Sequence, residues 1–211
     1  PECLADITAD VETLADWDEQ SEGVSSFWSD AMTEIAQRQL GYTESAKNFT
    51  VDKALGETLA QAHHYTRYGD WYGNPYGNWD VMFVAFCQHY AGIPEDVSLL
   101  QLRTELENAH PEYITPGGSE ATPGDIVLYT NAAGEETIGI VTAYDGANLT
   151  VVSGAVDGAV AAVTVAEADV TNTIRVLDAY GVYAQTGASD GSEELSFDAD
   201  AILARDGAVA Y

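Results

Sequence analysis

Few side chains in this chain can do chemistry, and their spacing excludes most familiar reaction centres. Cys3 and Cys87 are the only cysteines and form no C-x-x-C pair, so a zinc cluster is excluded. His63, His64, His89 and His110 form no H-E-x-x-H, and there is no G-x-S-x-G elbow; metalloprotease and serine-hydrolase chemistry have no motif to rest on. No D-x-D-x-D-G loop closed by Glu is present, so an EF-hand calcium site is not expected either, and no metal or cofactor is implied. What remains is one segment. Asp80 opens the run VMFVAFCQHY, with Cys87 seven residues on and His89 just beyond. Seven helical residues are two turns, or roughly 10 Å, so Cys87 shares the face of Asp80 but lies deeper. It reads as a small core residue, although a disulfide to Cys3 is open to a secreted chain. Asp80 reads as a helix N-cap, its carboxylate accepting first-turn N–H groups, with contact to a cationic ligand group as the alternative.

Immediately before Asp80 lies YTRYGDWYGNPYGNW, with six aromatic residues in fifteen. Its glycines and proline demand tight turns, so it reads as a structured surface loop. Tyr65, Tyr68, Trp71, Tyr72, Tyr76 and Trp79 suit stacking on sugar faces or a protein interface; packing within the loop is the alternative. The binding candidates are Trp71, Tyr72, Tyr76, Trp79 and Asp80. His63 and His64 precede this loop, either approaching a cleft or lying exposed at a helix end.

These groups must be positioned by the elements around them. Trp28, Met32, Ile35, Ala36 and Leu40 form a helical stripe stopped by Gly41. Val81 to Gly92 is apolar nearly all round, as a buried helix is. Leu99 to Ala109 supports a further helix. The pattern then changes to period two. Strands are expected over Pro123–Thr130, Glu136–Gly146 and Asn148–Ala155, the last two joined at an Asp-Gly turn, with more from VAAVTV and IRVLDAYGVY. Helices first and an antiparallel sheet second define an α+β domain.

The 211 residues hold 7 Lys+Arg against 35 Asp+Glu, a net charge of −28. The bases are scattered, so phosphate backbones are repelled and nucleic-acid binding is not expected. Anionic membrane surfaces are disfavoured in the same way, and no apolar run approaches a membrane span. Acidity of this kind fits solubility outside the cell. Residues 1–22 carry eight acids and no bases and read as an acidic arm. Residues 23–185 read as the domain, and 186–211 as a polar linker and C-terminal segment.

The segment YGNPYGNWDVMFVAFCQHYAGIP resembles the nucleophile region of CHAP domains, the cysteine- and histidine-dependent amidohydrolases/peptidases. PGDIVLY and then TIGIVTAYDGANLTVVSGA resemble the histidine strand of that family and the strand after it, and IAQRQLGYTES and YTRYG fit upstream. The resemblance covers about residues 27–182, in order. It implies a papain-like fold and a secreted or surface-displayed module of the kind found in Firmicutes surface proteins, flanked by other domains. The three catalytic positions are changed. Asp80 stands where the cysteine is expected, Thr137 where the histidine opens its strand, and Ser153 where the third polar group lies. A helix dipole that activates a thiolate stabilises the Asp80 carboxylate and leaves it a poor nucleophile toward amides. Thr137 is no general base, a role worth about 10²–10⁴ in rate. The resemblance therefore implies a pseudoenzyme that binds a glycan, a cell-wall peptide or a protein, or serves as a spacer. The alternative is a peptidoglycan amidase or endopeptidase with a relocated site.

Overall fold

The computed structural model describes residues 23–25, 27–45, 48–50, 62–93 and 113–175. The acidic arm 1–22, Cys3, the helix expected at Leu99–Ala109, His110, all but the start of the IRVLDAYGVY strand and the segment 186–211 lie outside the described residues.

Helix α1 (Trp28–Arg38) buries Ala31, Met32, Ile35 and Ala36 on one side. This is the i, i+3, i+4 stripe expected of a helix lying on a core. Leu40 does not belong to it. The helix ends at Arg38, and Leu40 swings out to 44% exposure. Gly41, at φ 85°, then turns the chain so that its N–H meets the Val160 carbonyl at 3.1 Å. A two-stranded ladder follows, β1 (Asn48–Thr50) against β2 (Ala62–His64). His63 and His64 thus lie in a strand, not at a helix end.

The aromatic segment contains a short helix, α2 (Arg67–Tyr72), where the composition alone suggests only turns. Its start is explained locally: the Thr66 hydroxyl accepts the Gly69 N–H at 3.0 Å, an N-cap worth about 0.5–2 kcal/mol. Gly73, left-handed at φ 88°, stops it. Helix α3 (Asp80–Tyr90) buries every residue from Met82 to Gln88 and so is apolar all round, as expected.

The rest is one sheet of six strands: β3 (Ile114–Pro116), β4 (Ile126–Thr130), β5 (Glu136–Tyr144), β6 (Asn148–Val156), β7 (Ala159–Ala166) and β8 (Val170–Ile174). Its order is β3–β8–β4–β5–β6–β7, with antiparallel pairing throughout. Period-two alternation gives it two apolar faces. Ile126, Leu128, Ile138, Ile140 and Val152 join the helices in one cluster, while Val127, Tyr129, Val141, Leu149 and Val151 form a second. Helix α3 lies across β5 and β6, with α1 beside it. The domain is therefore α+β, with its N-terminal helices packed on an antiparallel sheet.

The β5–β6 hairpin shows why the register is firm. Asp145 Oδ1 accepts the N–H groups of Ala147 (2.9 Å) and Asn148 (2.7 Å), and Gly146 takes φ 93°. Those two backbone donors, Asn148 foremost, hold the Asp145 carboxyl below its usual range. A lowered folded-state pKa contributes stability above the unfolded value, and that contribution is lost as pH falls through the folded one. Asp145→Asn, which keeps an acceptor but not the charge, is expected to melt below wild type at pH 7. The gap should close as the pH drops through the aspartate range. Calorimetry from pH 7 to pH 2 checks this; a gap that stays constant with pH refutes it.

Candidate functional site

Asp80, Thr137 and Ser153 come from three elements, and Tyr129 of β4 bonds one of them and stands opposite another. The phenol hydroxyl of Tyr129 and Ser153 Oγ are hydrogen-bonded at 2.9 Å, and both residues are buried. Thr137, half-buried, stands opposite Tyr129 in the β4–β5 register. Gly139 opens the path between strands: a Cβ there would lie 2.2 Å from Ser153 Oγ. Burial raises the Tyr129 phenol, the Ser153 hydrogen bond opposes this, and the Asp80 charge is near enough to raise it further. Tyr129 was not among the residues expected to matter. Its link to Thr137 depends on the β4–β5 register, set by the turn in which Asn131 Oδ1 accepts the Ala133 and Glu135 N–H groups and Gly134 takes φ 82°.

Asp80 is half-buried at the mouth of α3. It is not the N-cap. Trp79 occupies that position, its carbonyl accepting the Phe83 N–H at 2.9 Å, and Asp80 is the first helical residue. The carboxylate still captures an end-of-helix donor, since Oδ1 accepts the Val81 N–H at 2.8 Å. The expected capping chemistry is thus displaced by one residue, since the indole of Trp79 only donates and cannot accept a helix N–H.

That indole is 3% exposed, stacks on Tyr68 (centroids 5.4 Å, planes 14° apart) and donates Nε1–H to Glu44 Oε2 at 3.2 Å. Tyr68, fully buried, bonds Gln39 Oε1 at 2.9 Å and meets Phe83 and Phe86 edge-on. Of the binding candidates, Trp79 lies inside the core. Trp71 and Tyr76 are half-buried, Trp71 edge-on to Phe86 and Tyr76 beside Tyr65. Tyr72, 40% exposed, has the most open ring of the set. Trp71 and the exposed His89 ring approach to 5.2 Å.

A second polar cluster was missed in the sequence. Glu44 bridges Trp79 on one oxygen and His64 Nδ1 on the other, the latter at 2.5 Å. Residues 42–44 reach this place by pairing with the β7 edge: Val160 N–H donates to the Tyr42 carbonyl, and Glu44 N–H to the Gly158 carbonyl. The partners are 20 and 35 positions apart, so no local spacing announces them. Arg67 lies over the Tyr42 ring at 3.8 Å, and burial lowers its pKa.

Cys87 is fully buried with a free thiol, which burial pushes well above its usual range; it is a core residue, far from thiolate reactivity. Among the described residues there is no group of three or more His, Cys, Asp or Glu able to hold a metal ion. No helix among them is long and apolar enough to cross a membrane.

The chemistry of the Asp80–Tyr129–Ser153 set is limited. A buried hydroxyl pair with a raised phenol offers no base near neutral pH. Among the described residues, no histidine or lysine bonds to any of the three, nor to Thr137. Comparison with known proteins yields no relative: no protein-family model matches the chain, and neither a curated protein nor a solved structure matches it.

Proposed function

We propose that this chain is a CHAP-like module with a papain-like scaffold that has lost hydrolysis. In this reading it works by binding a glycan, a cell-wall peptide or a protein, or as a spacer, within a secreted or cell-surface bacterial protein. The observation that carries the reading is the Tyr129–Ser153 hydrogen bond. Where the resemblance expects an imidazole oriented by a polar partner, the polar partner is spent on a buried phenol. The order of elements supports the scaffold: an apolar helix with Asp80 at its mouth, then an antiparallel sheet carrying Thr137 and Ser153 on neighbouring strands. The strong negative charge favours neutral or cationic ligands over anionic wall polymers.

The relocated-site reading has one observation in its favour. The imidazole of His64 is oriented by the Glu44 carboxylate, as general bases are. Incubation with purified sacculi and with a panel of peptides separates the two. The expected result is no release of new amino groups above a buffer control. Release that disappears in His64→Ala, or in Asp80→Ala, overturns the pseudoenzyme reading and assigns the activity to that residue.

A further inference from the structure

The two edges of the sheet are treated differently. Strand β3, at one edge, has three residues and ends in Pro116, which cannot donate to a further strand. Strand β7, at the other, has eight residues, AVAAVTVA, with no charge and no proline. Its register with β6 runs unbroken from Asn148↔Ala166 to Ser153↔Ala161. Val160 marks which residues face outward, because its N–H and C=O bond Tyr42 and Gly41. With period two, Ala162, Thr164 and Ala166 turn their backbone groups the same way, while Glu167 N–H returns to Ala147 on the β6 side. Beyond the 41–44 segment, that outward row has no recorded partner among the described residues. Ala162 and Thr164 are exposed and small, so nothing on the side chains hinders an incoming strand.

We propose that the open half of β7 is a docking edge that takes an extended peptide bearing basic side chains as an added strand. Main-chain hydrogen bonds to Ala162, Thr164 and Ala166 supply the affinity. The charge around the edge selects the partner. Asp157 lies just before the strand and Asp169 just past its end, both exposed, while Glu44 and Glu167 are engaged by Trp79 and His64 and by Tyr144 and add only to the local negative field. Like charge opposes pairing of two copies of a chain that carries −28. Binding at this sheet edge does not depend on the chemistry of the Asp80 region.

The test uses the full chain and two eight-residue probes, one alternating Lys and Val, the other Glu and Val, followed by amide chemical shifts. The Lys-Val peptide is expected to shift the amides of Ala162, Thr164 and Ala166, to weaken with added salt, and to bind at least tenfold more tightly than the Glu-Val peptide. Thr164→Pro removes one outward N–H but none of the bonds to β6, and should weaken binding about tenfold. Ala162→Lys places a like charge on the edge and should weaken the Lys-Val probe too, which keeps the test decisive if the proline variant misfolds. Equal binding of both peptides, unchanged affinity in the folded variants, shifts confined to other residues, or a concentration-dependent dimer through β7 each overturn the proposal.

Discussion

Phe83→Ala is expected to destabilise the domain by about 3–5 kcal/mol, the range for truncating a buried phenylalanine. Phe83 is fully buried, sits edge-on to Tyr68 at 5.3 Å, and lies where α3 meets β6 at Gly154. Little around it can collapse into the space. Tyr68 is held by its bond to Gln39 and by stacking on Trp79, and Trp79 by its bond to Glu44. A rigid surround leaves a cavity, and the loss then includes both the transfer energy and the unfilled volume. Domains of this size are stable by only about 5–15 kcal/mol, so the change removes a large share. Urea unfolding measures it as a lower midpoint with an unchanged slope. Val81→Ala, two residues away on the same helix but 40% exposed, should stay within about 0.5 kcal/mol. A loss below about 1 kcal/mol at Phe83 would mean that α3 is not seated on β6 as described.

The same residues show what the sequence discloses and what it withholds. Helix α3 was legible because an unbroken apolar run bounded by Gly92 has few other solutions, and the β5–β6 hairpin because Asp145-Gly146 carries its own turn chemistry. Helix α2 was not legible. Six residues with an internal glycine make a poor periodic signal, and its stability comes from the Thr66 cap and from burying Tyr68, both known only once the chain is folded. Leu40 failed as a stripe member because the chain leaves the helix two residues earlier to pair with β7. The Asp80, Thr137 and Ser153 positions could be chosen from resemblance, but Tyr129 could not. A one-residue slip of β4 against β5 would turn its ring to the other face. The register is held by a turn in which Asn131 Oδ1 accepts the Ala133 and Glu135 N–H groups and Gly134 takes φ 82°, a longer loop than the two-residue Asp-Gly signal of the next hairpin. Contacts such as Glu44 with His64 and Trp79 are long-range consequences of edge pairing. They are invisible to any window of local pattern.

Gly154→Ala tests the point where sheet and helix meet from the opposite direction, by adding atoms rather than removing them. A Cβ at residue 154 would lie 2.8 Å from the Phe83 Cβ and 3.0 Å from Trp79 Cζ3. The first neighbour is attached directly to the α3 backbone, so relief requires the helix to move. The β6 strand is anchored by pairing on both sides as far as Val152, and Gly154 itself lies in the register shift between Ser153 and Val156, next to Ala155 at positive φ. Overpacking of this kind typically costs about 1–3 kcal/mol. The readout is twofold: a lowered urea midpoint, and a displaced Trp79 indole N–H resonance, because moving Trp79 alters its bond to Glu44. Gly134→Ala is the contrast. Its Cβ meets open space, so it pays only for its φ of 82°, roughly 1–2 kcal/mol, and should leave the indole signal unmoved. Combining Gly154→Ala with Phe83→Ala discriminates further. Removing the ring clears Phe83 Cγ, 3.1 Å from the new methyl, and leaves space into which the strand and helix can shift even though the Cβ at 2.8 Å stays. The double variant should therefore lose less than the sum of the single ones, by about 0.5 kcal/mol or more. Strict additivity would show that the two residues do not share one contact and that the helix rests on the sheet elsewhere.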